Sequence, residues 1–65
     1  MIRLQGVTVV QESDAALLCQ IDGHVRWIPR EKLQEGTTIH QVGDTGVLVI
    51  PRQFGVEWGL TPYDG

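Results

Sequence analysis

Apolar residues recur in short bursts along the chain, and their spacing predicts strands throughout, with one short helix near the end. Ile2, Leu4, Val7, Val9 and Val10, set around Gly6, form a first strand because β-branched residues dominate and alternation is partial; Gly6 marks a bulge. Gln11-Glu12-Ser13-Asp14 is a polar break that returns the chain antiparallel into residues 15–30. There Asp22-Gly23 lies between two apolar runs, a strong hairpin signal, since glycine supplies the positive φ a tight turn needs. Two registers compete. A two-residue loop pairs Leu18 with Trp27 and Gln20 with Val25, and leaves both faces mixed. A three-residue loop, Ile21-Asp22-Gly23, pairs Cys19 with Val25 and Leu17 with Trp27, which yields one apolar face. The pattern favours the longer loop, with Leu17, Cys19, Val25 and Trp27 inward and Leu18 and Ile28 outward.

Pro29 ends the third strand because it has no amide for the ladder, and Arg30-Glu31-Lys32-Leu33 makes a short helical turn that Gly36 closes. Residues 37–42 read as a fourth strand and 47–50 as a fifth, joined by Gly43-Asp44-Thr45-Gly46. The run Val47-Leu48-Val49-Ile50 does not alternate, so both its faces need cover, from a helix, a second subunit, or a barrel interior with its lid. The helix is the nearest source. Pro51 suits a first helical position, Phe54 and Trp58 fall on one face, and Gly59 ends the helix with Leu60 folding back; Gly55 weakens it. The expected fold is therefore mainly all-β, a five-stranded SH3-like barrel or bent antiparallel sheet with one short C-terminal helix. Residues 1–60 form the single domain and 61–65 a frayed tail.

Composition narrows the function classes. A 65-residue chain buries little surface, and its one cysteine and two histidines offer neither an internal disulfide nor a zinc pattern, so self-association is the expected remedy. An inward Cys19, no apolar run of membrane length and no secretory leader point to the cytoplasm. The formal net charge of −3 argues against nucleic acid held by bulk electrostatics. Arg26, Arg30, Lys32 and Arg52 carry the alternative of a weak nucleic-acid-binding module, against the plainer reading of a solvated mixed face.

Candidate chemistry is sparse. Asp44-Thr45-Gly46 is similar to the Asp-Thr-Gly triplet of aspartic proteases, where two copies bring two carboxylates together, but Gly-Asp-Thr-Gly is also good hairpin chemistry, and the turn is the preferred reading. Cys19 with His24 or His40 has the residue types of a thiol nucleophile and its base, yet the favoured register turns Cys19 into the core. His24 and His40 with Asp22 or Asp44 have no spacing that requires a metal. No catalytic, cofactor or metal residue is assigned, and an enzyme site built between subunits is the third alternative. Trp27 is expected in the core; Trp58, on a short helix, is read as either a core lid or an interface anchor.

The combination Trp27-Ile28-Pro29-Arg30 with Leu33, then Val47-Leu48-Val49-Ile50, then Phe54, Trp58, Gly59 and Leu60, resembles a group of short uncharacterised phage and bacterial proteins. The resemblance covers residues 17–60. That group carries a D-G-x-x-x-W-I-P-[KR]-S-x-[IL] stretch and an aromatic helix ending in Gly-Leu; this chain departs from it at Glu31, where Ser is usual, and at Gly55-Val56, where a small-residue pair is usual. The resemblance implies a mobile-element origin and assigns no activity and no functional residue. The resulting expectation is a non-enzymatic protein-interaction module, an accessory protein of a phage or mobile element. It is expected to form a homodimer through Leu18, Ile28, Leu48 and Trp58, with no cofactor.

Overall fold

The computed structural model describes residues 1–57 and 59. The order of elements is β1 (Ile2–Glu12), β2 (Ala16–Ile21), β3 (His24–Pro29), a single 3-10 turn (Arg30–Lys32), β4 (Thr45–Ile50) and α1 (Arg52–Glu57). The strands make one antiparallel sheet in the order β3-β2-β1-β4, so β3 and β4 lie at opposite edges. The expectation of a mainly β chain with a short helix holds. Among the described residues, however, no fifth strand forms in 37–42, and with β3 and β4 unpaired a closed barrel is not shown.

The Asp22-Gly23 turn is a two-residue loop, which corrects the three-residue reading. Ile21 pairs with His24, Gln20 with Val25, Cys19 with Arg26, Leu18 with Trp27 and Leu17 with Ile28. Both loop residues have positive φ, 51° at Asp22 and 86° at Gly23, the requirement of the tight turn whose twist matches the flanking strands. Asp tolerates that conformation far better than a β-branched residue does. The shorter loop moves β3 by one residue and exchanges its faces. Ile28 is therefore fully buried, and Trp27 and Val25, expected inside, are 49% and 58% exposed.

One face of the sheet, here called inner, carries Ile2, Leu4, Val7, Val9, Leu17, Cys19, Ile21, Ile28, Leu48 and Ile50, all in one buried cluster. At about 1.5–3 kcal/mol for each fully buried aliphatic side chain, this cluster dominates the stability. The 30–44 connection must travel from the β3 edge to the β4 edge, and it adds buried Ile39 and partly buried Leu33 to the same cluster. Two irregularities keep β1 in phase along its length. Between Leu4 and Val7 it opposes a single β4 residue with Gln5 and Gly6, the latter at φ 69°, and between Val9 and Gln11 it inserts Val10. Each bulge absorbs one residue, and the first is what keeps Leu4 and Val7 both inward although they are three apart.

α1 docks on the start of β1. A Cβ at Gly55 would collide with the Ile2 side chain, so the glycine that weakens the helix by propensity is what lets it approach. Pro51 sits just before the helix, its carbonyl accepting from Phe54 N and Gly55 N, and Gly59 has the left-handed φ of 71° expected of a helix end. Trp58, Leu60 and the tail at 61–65 lie outside the described residues.

Candidate functional site

The two edges of the sheet are treated differently by the chain itself. At β4 the groups of Val47 and Val49 face away from β1, and both are satisfied by the 34–38 segment, which includes the start of the expected strand. Val47 N donates to Thr38 Oγ1 at 2.9 Å and Val47 O accepts from Thr38 N at 2.8 Å. Val49 N donates to Thr37 Oγ1 at 3.0 Å, and Val49 O accepts from Gln34 N and Thr37 Oγ1 at 2.9 and 3.2 Å. Two threonine hydroxyls thus stand in for strand amide and carbonyl groups. Gly46 leaves room for Thr38, since a Cβ there would strike its hydroxyl. Val49, which like Val47 points away from the core cluster, is 5% exposed, with Gly36 directly against it. Within the chain, the second cover of the run comes from this segment.

The β3 edge has no such cover among the described residues. Arg30 N bonds to Ala15 O at 2.9 Å, which continues the ladder in which the even residues His24, Arg26 and Ile28 point their amides at β2. The N–H and C=O groups of Val25 and Trp27 therefore point outward. Their side chains stand on the outer face beside half-buried Leu18 and exposed Gln20. His24 and Arg26, exposed on the inner side, overhang the core. The result is an edge strand with free backbone groups, two half-exposed apolar side chains and a cation.

The connection is fixed by Arg30. Its Nη2 reaches Glu12 Oε2 at 3.1 Å and Ser13 O at 3.0 Å, Nε bonds Ser13 O at 3.1 Å, and Nη1 bonds His40 O at 3.2 Å. The planar fork suits three acceptors from two separate loops. Glu12 Oε1 in turn accepts from Val42 N at 3.2 Å. Asp44 Oδ2 accepts from His40 N at 2.8 Å and Gln41 N at 3.1 Å, so the Asp-Thr-Gly carboxylate closes its own turn.

The other sequence candidates separate. Cys19 is fully buried, its thiol 3.8 Å from Leu17 O and pushed up to about 11 by desolvation, the opposite of nucleophile activation. The true register puts His24 on the same side of the sheet as Cys19, but out at the exposed rim. No group of three or more metal-ligating side chains occurs among the described residues. Of the four basic residues, Arg30 is engaged, Lys32 Nζ lies 4.4 Å from the centroid of the Phe54 ring, Arg26 is on β3 and Arg52 on α1. Of the expected contact residues, Ile28 and Leu48 are fully buried and offer no surface to a second subunit, Leu18 is half-buried on the outer face, and Trp58 lies outside the described residues. Val25 and Trp27 were missed as surface residues. The signal was present, because Asp-Gly is the preferred sequence of a two-residue turn. Comparisons with protein families, curated proteins and solved structures found no match to this chain.

Proposed function

We propose that this chain is a non-enzymatic protein-interaction module that takes up its partner by adding a strand at β3. The observation that carries the reading is the contrast between the edges: Thr37 and Thr38 cap β4, while among the described residues Val25 and Trp27 leave β3 with unpaired backbone groups and half-exposed side chains. Open edges are templates for pairing, and proteins that do not use them blunt them. A place for the module among phage or mobile-element accessory proteins is supported by the Trp27-Ile28-Pro29-Arg30 resemblance alone. The nucleic-acid reading stands second, because Arg30 and Lys32 already have partners within the fold.

Backbone NMR tests the proposal with a panel of short extended peptides. Shifts should concentrate on residues 24–29, and the Val25 and Trp27 amides should gain protection from exchange. Val25→Pro removes an outward N–H without touching the β2 ladder and should abolish both effects. Perturbation elsewhere with β3 unchanged would sink the reading. Sedimentation equilibrium of the protein alone shows whether a second copy is the occupant.

A further inference from the structure

The chemistry of the partner strand follows from the two sides of β3, an inference that rests on the strand-addition reading above. On the outer side the edge presents Val25 and Trp27, two residues apart and each about half exposed. On the inner side it presents His24 and Arg26, both exposed, and among the described residues neither side chain enters a hydrogen bond or ion pair. The strand alternates cationic or titratable with apolar. A strand added alongside would set its side chains directly opposite these, on the same faces, where opposite charges attract and like charges repel.

A second copy fits this edge poorly in the two registers centred on Arg26 and on Trp27. With the two-fold axis at Arg26, the outward N–H and C=O groups of Val25 and Trp27 all pair, but the two guanidiniums stand face to face. With the axis at Trp27, the cations separate, but Pro29 comes opposite Val25 and has no N–H to give. β3 contains no acidic residue to answer Arg26. Acidic residues flank the strand instead, at Asp22 in the turn and Glu31 beyond the end, so the favourable place for a partner's negative charge is the middle of β3.

We propose that the β3 edge selects an extended peptide segment in which apolar and acidic residues alternate, with Glu or Asp opposite Arg26 and β-branched or aromatic residues opposite Val25 and Trp27. Three extended peptides that share their apolar residues and carry Glu, Gln or Lys at the intervening positions test it, read by NMR shifts on β3. The Glu peptide should bind about 3- to 10-fold tighter than the Gln peptide, the Lys peptide should be weakest, and salt should narrow the gap. Arg26→Glu, a change at an exposed position, should reverse the order. Equal binding of all three at β3, or an order unmoved by Arg26→Glu, overturns the acidic preference and leaves strand addition standing. Absence of all three from β3 overturns strand addition, and the preference with it.

Discussion

Placing a lysine first at Ile28 and then at Trp27 probes the hairpin register at adjacent residues with opposite expected outcomes. Ile28 is fully buried and opposite Leu17 in the core cluster. Cutting it to alanine removes three carbons, roughly 2.4 kcal/mol of transfer, and adds a cavity, for about 3–4 kcal/mol in total. At about 0.05–0.15 kcal/mol per residue, a chain of 65 residues holds roughly 3–10 kcal/mol of stability. Ile28→Ala should therefore remove a large share of the stability, and Ile28→Lys should unfold the protein because its charge would be buried without a partner. Trp27 already has 49% of its surface in water, so truncation to alanine forfeits only about half of a buried indole, about 1.5–2 kcal/mol. Trp27→Lys should cost less still, about 1 kcal/mol, since the lysine stem covers part of the same ground while its charge stays wet. Urea unfolding followed by far-ultraviolet circular dichroism measures Ile28→Ala and the two Trp27 variants on one scale, and the spectrum without urea reports whether Ile28→Lys folds. A Trp27 series that costs as much as the Ile28 series would refute the two-residue loop and the surface built on it.

Two further outcomes are expected. The Cys19 thiol holds its proton more tightly in the folded chain, with a pKa of about 11 against 9.0, so its contribution is complete below pH 9 and is lost as pH rises through the 9–11 window; urea midpoints in that window should fall in the parent and fall less in Cys19→Ala, and native labelling by a thiol reagent should be slow. Arg30→Lys keeps the charge and loses the fork, and should cost about 1–2 kcal/mol with faster amide exchange at His40–Asp44; unchanged exchange there would show that the loop stands without its guanidinium.

Much of the sheet was legible from residue types. β-branched positions marked β1 despite its uneven spacing, and Asp22-Gly23 marked the turn. The register was not legible by the rule of one uniform face, because that rule assumes both faces of a strand pack within the sheet. At an edge, His24 and Arg26 overhang the core on the same side as Ile28 without cost. Residues 37–42 failed for a different reason. Threonine favours strands and also carries a hydroxyl that can replace a strand's amide and carbonyl, and sequence does not separate the two uses. Gly55 looked like a flaw in the helix until its contact with Ile2 gave it a purpose. Nothing in the order of residues distinguished Arg30, which joins two loops far apart in the chain, from Arg26 four positions earlier, which joins none.

The threonine-capped edge also sets a valence. A sheet open on both sides is bifunctional, and units of that kind grow step by step into filaments. With Val47 and Val49 already bonded by Thr37, Thr38 and Gln34, this sheet has the middle of its β4 edge taken. On the strand-addition proposal, a strand joined to β3 would meet, across the sheet, Val47 and Val49 groups that are already bonded, so growth by the same pairing at those residues is blocked.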